Sequence, residues 1–136
     1  MIKKTFIYDT SRGLSALIKH QYSEKLDIQN CCNIKKFKVF TMSDFDICFF
    51  VVNDIEDLLL LRDIYSEIKH FFIATPKKYF NQKIKSLNFK DSIIIDLDYS
   101  KRDIVKEIDF NLSRIILNHS LIKVERNKVQ VGYSFK

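Results

Sequence analysis

Glycine, proline and tryptophan are nearly missing from this chain of 136 residues: it has two glycines, Gly13 and Gly132, one proline, Pro76, and no tryptophan. A loop that cradles phosphates needs several glycines close together, because only they let backbone approach the ligand. The P-loop and dinucleotide fingerprints are therefore excluded. Three cysteines cannot all pair within one chain, and none stands in a Cys-x-x-Cys arrangement. Cys31 and Cys32 are adjacent, a spacing unsuited to an ordinary disulfide between them. Cys48 lies inside an apolar run and is expected as a small buried hydrophobe. This usage fits a reducing compartment. His20, His70 and His119 fall on separate elements and there is no nucleophile elbow, so an enzyme is unsupported. No stretch reaches the ~18 apolar residues of a membrane span, and Met1-Ile-Lys-Lys leads into a strand rather than a leader peptide. A soluble, cytoplasmic, non-enzymatic protein is expected, with no membrane partner.

What the chain does have is a period. Five short apolar runs, Thr5–Tyr8, Leu26–Cys31, Ile47–Val52, Phe71–Ala74 and Ile93–Ile95, are each followed by a stretch with helical periodicity. Their ends at positions 9, 31, 53, 75 and 96 are separated by 22, 22, 22 and 21 residues. A strand, a helix and a return loop take about that length, so the pattern predicts repeated βα units around a parallel sheet, an α/β fold. In such sheets, ligands gather at the carboxyl ends of the strands. The question of function becomes which side chains stand there.

The helical stretches have readable faces. Leu14, Leu17, Ile18 and Tyr22 share one side of the first, and Asn33 can cap a short second helix through about Phe40 with Ile34, Phe37 and Phe40 or Thr41 inward. An alternative makes Phe37–Thr41 a strand. Asn53 and Asp54 start a third helix with Leu58, Leu61, Ile64, Tyr65 and Ile68 at helical spacing. The fourth turns Phe80, Ile84 and Leu87 inward and Lys77, Lys78, Lys83, Lys85 and Lys90 outward. The fifth buries Ile104, Val105, Ile108, Leu112, Ile115 and Ile116. Beyond Asn118, Leu121–Glu125 and Lys128–Tyr133 alternate with period two around Arg126-Asn127, predicting a C-terminal β-hairpin. The domain is thus drawn as residues 1–118, with an extension over 119–136.

Over residues 1–118 this layout resembles the receiver domain of bacterial two-component response regulators. The local match is Phe45-Asp46-Ile47-Cys48-Phe49-Phe50-Val51, where receivers place an aspartate, four apolar residues and the phosphoryl-accepting aspartate. The resemblance implies a three-layer, doubly wound, flavodoxin-like sheet of five parallel strands in the order 2-1-3-4-5. It also implies a pocket in which two acids after strand one and the acceptor hold a divalent cation, while a hydroxyl after strand four and a lysine after strand five bind the phosphoryl oxygens.

Mapped onto this chain, the pocket is Asp9, Thr10, Val51, Thr75 and Asp96. Asp9 and Thr75 match. The second acid is Thr10, the acceptor is Val51 and the lysine is Asp96. Such a pocket points to a degenerate pseudo-receiver that works by phosphorylation-independent protein interaction, with no catalytic residues, no cofactor and a protein partner or a homodimer. The resemblance places an interaction face at Lys78, Lys85, Asp98, Lys101 and Arg102.

Two other classes stay open. One is a metal-binding, still phosphorylatable receiver with magnesium on Asp9 and Asp54, although Asp54 and Asp98 are equally explained as helix caps. The other is a nucleic-acid accessory protein. The net charge of +6 and the basic fourth helix allow it, but lysines spread along the whole chain favour a solvated surface.

Overall fold

Five strands form at the five apolar runs, and all of them lie parallel. They are β1 (Lys3–Tyr8), β2 (Leu26–Cys31), β3 (Ile47–Val51), β4 (His70–Thr75) and β5 (Ile93–Asp96), in the order β2-β1-β3-β4-β5. The computed structural model describes residues 3–76, 78–89 and 91–127. β3 reads Ile-Cys-Phe-Phe-Val and is buried throughout, as a central strand covered on both faces must be. β2, at the edge, carries Asp27, Gln29 and Asn30 and leaves all three exposed, which suits a strand with one open side.

The helices are α1 (Gly13–Tyr22), α2 (Ile55–Ile64), α3 (Lys78–Leu87) and α4 (Lys101–Asn127). Strand order fixes the layers. The chain steps from β1 outward to β2, then back past β1 to β3, β4 and β5. Right-handed crossovers therefore put α1 on one face and the later connections, with α2 and α3, on the other. On the latter face, Phe6, Tyr8, Cys48, Phe50 and Ile73 form one core with Leu58, Leu61 and Ile64 of α2 and Phe80 and Ile84 of α3. The alternate residues Ile7, Ile47, Phe49 and Phe72 point to the opposite face and are fully buried, with Phe49 and Phe72 stacked at 4.4 Å. Three layers result.

The chain divides into two compact units, Met1–Tyr99 and Ser100–Lys136. In the second, Ser100 Oγ accepts from Asp103 N at 3.2 Å and caps α4, so Ser100 rather than Asp98 does this work. Along α4, Ile104, Ile108, Leu112 and Ile115 are buried as expected, whereas Ile116 is exposed.

Three other expectations need correction. The second helix is a 3₁₀ helix, Ile34–Val39, still capped by Asn33, whose side chain accepts from Lys35 N at 2.8 Å. Three residues per turn set Phe37 and Phe40 above one another toward the core and leave Ile34 and Val39 exposed. Leu87 is exposed because α3 stops there. Asn88 takes a left-handed conformation (φ 54°), its N–H bonds Lys85 O, and Phe89 is turned inward against Tyr65 at 4.9 Å. Finally, Leu121–Glu125, the first arm of the expected hairpin, is helical within α4. No glycine or proline stands between residues 101 and 131 to stop the helix. The second arm, residues 128–133, lies outside the described residues.

Candidate functional site

The parallel strands deliver Asp9, Val51, Thr75 and Asp96 to one edge of the sheet, so the topology does bring the expected pocket residues together. What each one does there differs from receiver chemistry.

Asp9 follows β1 directly and is 1% exposed. Its Oδ1 accepts from Ser11 N (3.0 Å) and Ser11 Oγ (2.7 Å), and its Oδ2 from Ser15 N (3.1 Å). The reason is local. Arg12, at the N-cap position of α1, is left-handed (φ 67°) and offers no side-chain cap. The Ser15 N–H in the first turn of α1 would otherwise lack a partner, and the Asp9 carboxylate supplies one, as an anion at the positive end of the helix. Thr10 is exposed, and its Oγ1 accepts from Asn53 Nδ2 at 3.1 Å.

Val51 is fully buried and pairs with Ala74 of β4, so hydrocarbon stands where the resemblance places the phosphoryl acceptor. The β-ladder continues one residue further: Val52 N donates to Ala74 O at 2.7 Å, and Val52 O accepts from Thr75 Oγ1 at 2.7 Å. The hydroxyl at the end of β4 is thus directed onto the backbone of β3. Asp96 ends β5 and turns back on itself, with Oδ1 accepting from Asp98 N at 2.9 Å. This is a local Asx turn, with a carboxylate where the resemblance implies a cation.

Divalent-ion binding by this pocket can be tested on its donors. Both Asp9 oxygens already accept hydrogen bonds, Asp54 Oδ1 accepts from Asp57 N at 3.0 Å as the cap of α2, and Val51 has no donor atom. Among the described residues no group of three His, Cys, Asp or Glu side chains is placed to hold a metal ion. The residues present do not fit the receiver cation.

Sequence reasoning missed one member of this edge. Asp57, in the first turn of α2, is 2% exposed. Its Oδ2 accepts from Asn53 N (2.9 Å) and its Oδ1 from Tyr8 OH (3.1 Å), across from β1. The signal available was Asp54-x-x-Asp57, the spacing of a reciprocal helix cap. Burial pushes the Asp57 carboxyl above the ordinary carboxylate range, while the Asn53 amide and Tyr8 hydroxyl hold it down. Burial first, and then the Asp57 charge, push the Tyr8 hydroxyl up as well.

A carboxyl whose value is raised on folding binds its proton more tightly in the folded chain. Its contribution to stability therefore falls as pH rises from the ordinary carboxylate range through the raised value. Tyr8→Phe strips one donor from the buried anion. It is expected to lower stability by about 1–3 kcal/mol at neutral pH, with a smaller loss in acid, where Asp57 is protonated. Urea unfolding of both proteins over that pH range measures this; a pH-independent difference would contradict the assignment.

The fold that carries this edge has counterparts among solved structures. The chain is similar to the response regulator DrrB of Thermotoga maritima, an OmpR/PhoB homolog, with a TM-score of 0.64 and 11% identity over 84% of its length. It spans only 54% of that protein. It is also similar to a CheY-like response regulator receiver domain protein from Methanospirillum hungatei JF-1, with a TM-score of 0.61 and 18% identity, covering 84% of this chain and 96% of that one. The fold is that of a response regulator receiver domain.

No family model and no curated protein matches the sequence. The receiver fold thus accounts for the parallel sheet and its order, while the side chains at its edge are this chain's own. Of the expected interaction face, Lys78 and Lys85 on α3 and Asp98 after β5 are exposed in the first unit, and the exposed Lys101 and Arg102 open the second. No helix among the described residues is long and apolar enough to cross a membrane.

Proposed function

We propose that this chain is a degenerate receiver, a signalling domain that keeps the receiver fold, accepts no phosphoryl group and acts through contacts with another protein. The observation that carries this is Val51. A fully buried isopropyl group stands where the resemblance puts the acceptor, and it has no nucleophilic oxygen. The surroundings agree. Asp9 holds the start of α1, Thr75 bonds the backbone of β3, and no cation faces them from Asp96. With no reaction to perform, the useful parts of the domain are its exposed charges, of which Lys78, Lys85, Asp98, Lys101 and Arg102 are the proposed contact residues. Charged groups of both signs on a contact surface favour register and partner choice over raw affinity.

The test is to incubate the protein with acetyl phosphate and magnesium and read its intact mass, then to melt it with magnesium and beryllofluoride. Unchanged mass and an unchanged melting temperature are expected. Addition of one phosphoryl group, or a beryllofluoride-dependent rise in melting temperature, would end the proposal.

A further inference from the structure

We infer that α2 and α3 together form a self-complementary surface on which a second copy of this chain docks about a two-fold axis. The inference rests on the reading of the domain as an interaction module and names its partner. α2 presents Ile55 (53% exposed) and Leu59 (45% exposed) one turn apart on its outer side, with Arg62 continuing the stripe. The exposed charges from Asp54 to Glu67 are Asp54, Glu56, Asp63 and Glu67 against Arg62, which is four negative less one positive, or −3. α3 is the opposite. Lys78, Lys83 and Lys85 are exposed and there is no acid from Lys78 to Leu87, giving +3.

The two helices are neighbours. α2 connects β3 to β4 and α3 connects β4 to β5, so crossovers of one hand lay them side by side on one face. Their inner sides share a core, and Tyr65 just beyond α2 meets Phe89 just beyond α3. A two-fold axis running between such a pair sends α2 of one copy onto α3 of the other, and α3 onto α2, so both contacts form at once. Each contact joins net −3 to net +3 and sets the aliphatic stems of the lysines over Ile55 and Leu59. Placing α2 on α2 or α3 on α3 would set like charges together. Nucleic acid is disfavoured by the same arrangement, because the acids of α2 lie beside the lysines that would attract it.

Sedimentation velocity of the full chain over a range of concentrations tests this. A dimer is expected at low salt, with a dissociation constant about tenfold larger at high salt, since exposed charge pairs are screened. Two triple variants divide the surface: Lys78→Glu/Lys83→Glu/Lys85→Glu and Glu56→Lys/Asp63→Lys/Glu67→Lys. All six positions are exposed, and circular dichroism melting checks that both variants fold. Each alone is expected to be monomeric, and an equimolar mixture is expected to form the heterodimer, because one copy is then acidic on both helices and the other basic on both. A monomeric natural chain, a variant that dimerises as tightly as the natural one, or a mixture that stays monomeric overturns the inference. A monomeric chain would leave the loss of phosphoryl chemistry standing, whereas phosphoryl uptake would overturn that and not the dimer.

Discussion

Val51→Asp is expected to lower the stability of the domain by roughly 4–6 kcal/mol without creating a phosphoryl acceptor. Two losses combine. Removing a fully buried valine from the central strand forfeits about 1.5–3 kcal/mol of apolar burial. Seating a carboxylate in this fully buried position adds several kcal/mol more, because the charge is taken out of water. A receiver offsets that charge with a bound cation and a lysine. Here Asp9 is engaged with α1, and Asp96 contributes another negative group. Single domains hold only about 5–15 kcal/mol in total, so the variant is expected to lose about a third or more of its stability and to unfold at a much lower denaturant concentration. Denaturant unfolding with Val51→Ala as the size control measures the effect, and intact mass after acetyl phosphate treatment measures the chemistry. A stable Val51→Asp protein that gained a phosphoryl group would show that the pocket had kept its machinery and lost only its nucleophile.

Asp9→Ala is expected to cost about 2–4 kcal/mol, for a reason unrelated to phosphoryl transfer. The variant leaves Ser11 N, Ser11 Oγ and Ser15 N without their shared acceptor and removes an anion from the positive end of α1. Asp9→Asn is expected to lose about half as much, since an amide keeps one acceptor oxygen and turns an N–H group toward a remaining donor. Thr10→Ala removes one exposed contact with Asn53 and is expected to change stability by no more than about 0.5 kcal/mol. In a working receiver the acids after strand one serve the cation, and their loss falls on ion binding. In this chain the loss falls on folding. Thermal melts of the three variants with and without magnesium separate the two roles. An Asp9→Ala protein that melted like the natural one would remove the capping assignment.

How far each feature could be read in advance depended on how local its cause is. The strands were legible because apolar runs at an even period need only the chain itself. Strand order followed from the resemblance and agrees with the handedness of the crossovers. The short 3₁₀ helix after β2 was half legible: its Asn33 cap is a local signal, but the number of residues per turn was decided by where Phe37 and Phe40 had to meet the core. The inward turn of Phe89 was hidden because it depends on one left-handed residue, Asn88. Asp57 was hidden for a different reason. A carboxylate in the first turn of a helix ordinarily faces water, and only Tyr8, 49 positions earlier, makes this one an interior group.

From its letters alone this chain settles that position 51, where the resemblance places the phosphoryl acceptor, carries no nucleophile, because the atoms of a valine are a covalent fact that no folding can alter. Three-dimensional packing decided how the remaining polar groups are used. Asp9, Asp57 and Thr75 are each built like pocket residues, and each is drawn instead to a backbone amide, a hydroxyl or a carbonyl that folding places within reach. A buried charge or hydroxyl must be matched by whatever group lies close to it. For Asp9 that group comes from the turn into α1, whereas the Tyr8 partner of Asp57 and the Val52 partner of Thr75 come within reach only in the assembled sheet.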